Sequence, residues 1–287
     1  SSGFSPAAAN LRKRLFAVSR TGILAKSNMN TFGHFLLTRF NAPLKSGEPL
    51  APFAKPQGLD AAWLARRFDL FERICLASLQ RQVEGAFQWL VFLDWGTPVS
   101  FKERMAALTV RHEFLHPVYC SQFDEETVLA EIRRRETAGR SRITTSLDVA
   151  SALHPRMVEW IQEMARLHSA AMDLQKGFWI RFPVGCTEKN GDFYIRRDPL
   201  NSFSSFMSAP ECERTVLGAD PSAPAVDKTI RPMWCQVIHD DTDASHPRGV
   251  YWPWGGCSEF APVVTNGFCR GFFWQCIEVA RSAARYG

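Results

Sequence analysis

The sequence predicts an α/β fold with a mainly parallel central sheet and a mixed C-terminal portion, on three observations. Strand-like and helix-like segments alternate from residue 34 to about 170, one strand is apolar on both faces, and the strands end in polar or acidic residues. Parallel sheets covered by helices have these properties and take their ligands outside the carboxyl ends of the strands.

The elements follow in order. His34-Phe-Leu-Leu-Thr-Arg-Phe-Asn41 is rich in strand formers and brings Thr38, Arg39 and Asn41 to its polar end, where they can contact a ligand. After a Pro/Gly-rich loop, Trp63, Leu64, Phe68, Phe71, Ile74, Cys75 and Leu79 recur with helical period, predicting one core-facing helix over Leu59 to Gln82 with Arg66, Arg67, Glu72 and Arg73 mostly off that face. Phe87-Gln-Trp-Leu-Val-Phe-Leu-Asp94 then reads as a strand buried on both faces and terminated by a carboxylate. Thr97-Pro98 opens a helix through Phe101 to Leu108, Phe114 to Cys120 is a third strand, and Asp124 to Arg135 is a helix with acids first and arginines last. Arg142-Ile-Thr-Thr-Ser-Leu147 is a fourth strand with Asp148 at its end, and His154-Pro155 starts a helix through Val158, Ile161 and Leu167. Beyond Gly177 shorter segments predict mixed strands and long loops: Phe178 to Phe182, Asp192 to Arg196 and Met233 to His239. The proline-rich stretch Ala209 to Pro232 reads as a surface loop, mobile over a site, and a last helix runs to about Arg285.

With 287 residues, the chain is long enough for one large α/β domain or two modest ones sharing a core. No apolar stretch approaches the roughly 20 residues that span a bilayer, which predicts a soluble, cytoplasmic protein. Eight cysteines stand singly, without CxxC pairs or zinc spacing, and read as buried, reduced thiols. The net charge of +5 is mild and no basic tract is interleaved with aromatics, so nucleic acid is not an expected partner. Residues 1–30 form a basic arm, because Arg12, Lys13, Arg14, Arg20 and Lys26 precede the first acid, Glu48. Leu11, Leu15 and Val18 would let residues 11–26 rest on an anionic membrane surface as a helix, peripheral to the inner face. The other reading is a disordered leader, or a tag remnant at Ser1-Ser2-Gly3.

Several words of this sequence, in this order, resemble the bacterial rhamnosyltransferase family. They are residues 34–41, Arg67-x-x-Leu-Phe-Glu-Arg-Ile-Cys75 with Ser78 and Gln82, residues 87–94, Thr97-Pro98, Ile143-Thr-Thr-x-Leu-Asp148 with Ala152-Leu-His154, Asn201-x-Phe203, and Pro232-x-Trp-x-Gln-Val-Ile-His239. The resemblance implies a GT-A-like nucleotide-binding sandwich, with residues 31–170 holding the nucleotide sugar and residues 171–287 forming the acceptor side of the same domain. It also implies transfer of a hexose, by the family name rhamnose, from a nucleoside diphosphate sugar to a hydroxyl on a glycan, lipid or protein, surface polysaccharide included.

Such enzymes usually neutralise the diphosphate with Mg2+ or Mn2+ on an Asp-x-Asp motif, since hard oxygen ligands suit a cation bridging two phosphates. Here the motif is degenerate: where the family has a word similar to Leu-Asp-Asn-Asp-Asp-Ala-Leu, this chain has Leu147-Asp148-Val149-Ala150-Ser151-Ala152-Leu153. Metal binding is weakened accordingly. Either Asp148 alone suffices with nucleotide bound, or cations such as Arg39, Arg142 or Arg196 replace the metal, or catalysis is lost and the protein binds a glycan or a protein partner. Ser208 stands where an acid is expected, which removes one candidate base.

The resemblance assigns catalytic roles to Asp148, His239 and Asp241, metal ligation to Asp148 and His239, and nucleotide-sugar binding to Thr38, Arg39, Asn41, Asp94 and Arg142. Each assignment has a plainer competitor. Asp94 contacts the ribose or closes an Asx turn, Asp148 binds phosphate-bound metal or caps a helix, and Arg39 and Asn41 grip phosphate or join a surface ion pair. His239 binds diphosphate, assists a metal, acts as a base, or is structural. Trp252 and Trp254 stack on sugar or simply pack.

Overall fold

The computed structural model describes residues 32–44, 59–137, 139–239, 249–252 and 259–260. The basic arm, the expected last helix, Trp254 and Asp241 lie outside the described residues.

Strands β1 (Phe32–Arg39), β2 (Gln88–Asp94), β3 (Leu115–Cys120) and β4 (Ser141–Ser146) form a parallel block in the order β4-β1-β2-β3. The mixed portion joins it through β9 (Ser205–Ser208), antiparallel to β4, then β6 (Phe178–Arg181) and the short β10 (Ala225–Asp227). Side chains that alternate along β2 explain why that strand reads as continuously apolar. Trp89, Val91 and Leu93 enter the larger core with α1 (Ala61–Leu70), α2 (Val99–Arg111) and α4 (Met157–His168). Leu90 and Phe92 face the opposite way, with Phe123 and with Val128 and Ile132 of α3 (Glu125–Arg135). Both faces are therefore dry, as the alternation of strand and helix predicts.

Helix starts follow local chemistry. Asp60 caps α1 by accepting from the Trp63 N–H at 2.7 Å, and Asp124 caps α3 by accepting from Thr127 at 2.9 Å. The long helix expected over Leu59 to Gln82 is shorter and is not uniform. After α1 it widens into a π-helical turn over Phe71–Leu76 and ends with Ala77–Leu79. That turn lays Ile74 against a second sheet, and widened turns of this kind often occur at functional sites.

The second sheet has the order β12-β8-β7-β11-β5, built from β5 (Ser151–Leu153), β7 (Val184–Lys189), β8 (Asp192–Arg197), β11 (Trp234–Val237) and β12 (Val250–Tyr251). Its β7-β8 hairpin turns on Asn190 and Gly191, both at positive φ (55° and 95°), the arrangement of a type I′ turn. At Gly185 the chain passes so close to the indole of Trp234 that an added Cβ would overlap the ring. Trp234 is held by Phe203, stacked at 4.9 Å, and by its N–H donated to the Phe182 carbonyl at 2.8 Å. Gly185→Ala is expected to cost about 3 kcal/mol through overpacking, read as a lower urea midpoint; an unchanged midpoint would show that the indole moves freely.

The stretch expected as a mobile surface loop, residues 209–232, is partly anchored. Thr215 is fully buried, its hydroxyl donates to Glu125 at 2.6 Å, and the Val216 N–H donates to the Thr144 hydroxyl at 2.8 Å. Prolines and weak periodicity signal irregular backbone; they do not signal exposure.

Candidate functional site at the carboxyl ends of the parallel strands

Asn41, Asp94 and Thr97 form one knot where β1 and β2 end. The Asn41 carbonyl oxygen accepts from the Asp94 N–H at 3.1 Å and the Thr97 hydroxyl at 3.3 Å, while the Asn41 amide donates to the Thr97 hydroxyl at 3.0 Å. Asp94 is half-buried and accepts the Gly96 N–H, so its Asx turn is present; this leaves a second carboxylate oxygen for other use. The knot fixes the backbone beside the sheet's carboxyl edge.

Asp148 lies where the two sheets meet. Its carboxylate accepts from the Ala150 N–H at 3.2 Å, closing the turn that sends the chain from β4 into β5. Two ladders converge there. The β1-β4 ladder ends on Leu37 and Ser146; Arg39 and Asp148 lie two residues further along each chain, close enough for Asp148 to raise the Arg39 pKa. In the second sheet Gln236 pairs with Ser151 and the Val237 N–H donates to the Ala150 carbonyl at 2.9 Å; half-buried His239 follows two residues after Val237, past the end of β11. The surviving carboxylate thus stands close enough to Arg39 to act on its charge.

Arg39 is 2% exposed, and burial lowers its pKa to about 10, aided by repulsion from Arg67 and opposed by attraction to Asp148. Arg67, also buried, reaches back from α1, donating to the carbonyls of Phe40 and, at 3.1 Å, Arg39. Its guanidinium lies over the rings of Trp63 and Phe40 at 5.1 and 5.6 Å. Cys75, in the π turn, senses the same charges. Burial pushes its thiol well up and Asp148 pushes it further, against the pull of Arg67.

A divalent cation does not fit the donor set that the described residues supply. Beside Asp148, Val149 and Ala150 are apolar and buried, and no group of three His, Cys, Asp or Glu side chains comes together among the described residues. A hard cation takes about six oxygen ligands, of which Asp148 would supply one or two and substrate phosphates and water the rest, and a neighbouring guanidinium repels it.

Other expected site residues fall elsewhere. Thr38 is buried, its hydroxyl donating to the Leu147 carbonyl at 2.7 Å and accepting from the Trp89 indole at 2.8 Å; these bonds commit it to pinning β1 to β4 and β2. Arg142 is a correction. It sits at the amino end of β4, 1% exposed, 3.5 Å from Glu136 and donating to the Pro210 carbonyl. At about 3.3 Å per strand residue, roughly 20 Å of chain separates it from Asp148, so it cannot share a ligand there. Ser208 pairs with Arg142 at that same far end. Arg196 belongs to β8, paired with Asp198 at 2.9 Å and stacked on Trp234 at 4.9 Å. Trp252 is exposed. Arg67 and Cys75 are the residues that sequence reasoning missed. The signal for Arg67 was its place four residues after Trp63, on the aromatic stripe.

A mainly parallel sheet with a carboxylate and a buried arginine at its carboxyl edge defines the class of α/β fold in which ligands, where they bind, lie at that edge. The chain belongs to the family described as "Putative rhamnosyl transferase", whose model matches residues 34–250, most of its length. No curated protein matches it. Among solved structures it is similar to S. aureus TarS 1–349 in complex with UDP, at 8% identity and TM-score 0.42 over 72% of this chain and 60% of that one. The same protein with UDP-GlcNAc gives 9% identity and TM-score 0.41 over 73% and 59%. The 4-diphosphocytidyl-2C-methyl-D-erythritol synthase of Anaerococcus prevotii gives 10% and 0.32 over 69% and 87%. The chain spans only 60% of the first of these. No helix among the described residues is long and apolar enough to cross a membrane.

Proposed function

We propose that the chain binds a nucleoside diphosphate sugar at the Asp148 junction and transfers its hexose, rhamnose by the family's description, to an acceptor hydroxyl on a glycan, lipid or protein. The observation that carries this reading is the placement of Arg39 beside Asp148, which puts positive charge where the family uses a metal. Residues 31–170 hold the donor and residues 171–287 the acceptor.

Sugar transfer needs charge stabilisation at the diphosphate as it leaves and a base for the incoming hydroxyl. Arg39 supplies the first as a fixed, partly desolvated cation, while Arg67 holds the backbone beneath it. His239 supplies the second. The acceptor oxygen bonds to the anomeric carbon, its proton passes to the imidazole, and the carbon–oxygen bond to phosphate breaks with its electrons going to the nucleoside diphosphate. Asp148 orients Arg39 on one side and His239 on the other, and Asp94 faces the ribose. Asp241 remains part of the proposed catalytic set.

Incubation with UDP-, GDP- and dTDP-sugars, with Mn2+ or with EDTA, is expected to give nucleotide release that chelation does not abolish. Absence of binding, hydrolysis and transfer across the panel would reject the enzyme reading. A second reading, a silent relative that binds a glycan or protein, is favoured by the buried apolar pair Val149 and Ala150 within the motif. Turnover lost on His239→Ala would reject that alternative.

Residues 11–26 are proposed to hold the protein at an anionic membrane surface on the cytoplasmic side. Full-length protein is expected to float with anionic liposomes and a chain lacking residues 1–30 to stay behind; equal, negligible flotation would dismiss the tether.

A further inference from the structure

One row of side chains crosses the whole second sheet. Ser151 pairs with Gln236, Gln236 with Thr187, Thr187 with Tyr194, and Tyr194 with Tyr251, so β5, β11, β7, β8 and β12 each contribute one residue. Side chains paired across strands share a face. The row is therefore continuous, about 19 Å long at about 4.8 Å per strand spacing. The alternate positions, Ala152, Cys235, Cys186 and Ile195, lie on the other face in an apolar cluster with Ile74 and Phe260.

Three properties set this row apart. It carries no charge. Its inner hydroxyls, on Ser151 and Thr187, are buried with residue exposures of 0% and 1%, and neither has a hydrogen-bond partner. Buried hydroxyls without partners are uncommon and are usually explained by an occupant that completes them. Between them the Gln236 side chain is half-buried and offers one acceptor and two donors. At the outer end the rings of Tyr194 and Tyr251 lie 5.6 Å apart, the first half-buried and the second 52% exposed.

We propose that this row is a binding track for a neutral saccharide. The row itself offers an anion no cation, and Arg196, two residues from Tyr194 on the same face, is paired with Asp198 at 2.9 Å. An apolar ligand would leave the Gln236 amide and both hydroxyls unsatisfied. A polyol presents donors and acceptors to Gln236, draws the hydroxyls of Ser151 and Thr187 into the same network, and lays its carbon–hydrogen face on the tyrosine rings. The buried end lies three residues beyond Asp148, so, on the transferase reading above, the track holds the acceptor glycan with its reactive hydroxyl at the junction.

The test is titration of the full chain, by calorimetry and saturation-transfer NMR, with maltotriose, chitotriose and a rhamnose trisaccharide, alongside UDP and dTDP. At least one trisaccharide is expected to bind. Tyr251→Ala, on an exposed edge, and Gln236→Leu are each expected to weaken it about tenfold, with nucleotide affinity unchanged and thermal unfolding intact for Tyr251→Ala. No saccharide binding by the parent chain, or binding that neither substitution alters, overturns the track. Saccharide binding without nucleotide binding supports the track and rejects the donor site instead, so the two readings fail separately.

Discussion

Asp148→Asn is expected to lower turnover by about 100- to 1,000-fold, the usual effect of removing one preorganised electrostatic group from an active site. Asparagine keeps the shape of the side chain and an oxygen that can accept the Ala150 N–H, so the turn from β4 into β5 survives. What it loses is charge. Arg39 then keeps only its repulsion from Arg67 and its burial, and the attraction that offsets them disappears. The arginine would hold its place less firmly. Measured kcat should fall with unfolding midpoints near those of the parent, and the loss should be the same with Mn2+ and with EDTA. A rescue of the parent or the variant by Mn2+ would return the site to metal chemistry.

Replacing Glu188 by glutamine should change the pH dependence of stability more than any surface substitution. Burial pushes the Glu188 carboxyl up to about 7, with Asp192 adding to the effect and the hydrogen bond from Gly191 opposing it. A folded-state pKa raised above the unfolded value near 4.5 means that the folded protein holds this proton more tightly. The stabilisation is full below about pH 4.5 and is lost as pH rises through about 7, some 3 kcal/mol in all.

His34 works in the opposite sense. Fully buried, with its ring nitrogens 2.9 Å from the Thr145 hydroxyl and 3.4 Å from the Gln162 amide, it is lowered by burial to about 3. Its stabilisation is present above about pH 6.5 and is lost as pH falls towards 3, about 5 kcal/mol at the limit. Between pH 4.5 and 6.5 the two slopes cancel, so the parent protein should show a plateau there. Glu188→Gln keeps an acceptor for Gly191 and removes one slope. Its stability is expected to climb from pH 3 to 6.5, to match the parent at pH 4 and to exceed it by about 3 kcal/mol at pH 8. Urea unfolding at pH 4, 6 and 8 reads this directly, and parallel curves for the two proteins would contradict it.

Much of this arrangement was legible in the sequence because it is encoded locally. Alternating periodicity marked the parallel strands, and the polar residues ending them placed Asn41, Asp94 and Asp148 at one edge. The knot at Asn41 and the Asx turns at Asp94 and Asp148 show that these residues also shape the backbone, whatever they bind. Arg142 could have been set aside from sequence alone, since it begins its strand and the ligand edge lies at the other end. The Asn190-Gly191 pair, a strong local hairpin signal, was equally available.

Other features were not legible because they depend on distant pairing. The three-residue β5 becomes a strand only against β11, through pairs such as Ser151 with Gln236. Those two residues are 85 positions apart in the numbering (236 − 151), and no local pattern encodes their pairing. Arg67 was hidden for another reason. A guanidinium on a helix normally faces water, and it is the carbonyls of Arg39 and Phe40, with the rings of Trp63 and Phe40 beside them, that make its burial favourable.

The most direct measurement is a crystal structure of the chain soaked with a nucleoside diphosphate and Mn2+. The expected result is diphosphate density beside Arg39 and Asp148, at the carboxyl ends of β1 and β4, without a cation bridging it to the protein. Density for the nucleotide elsewhere, none at saturating concentration, or a Mn2+ ion held by Asp148 between protein and phosphates would contradict the account.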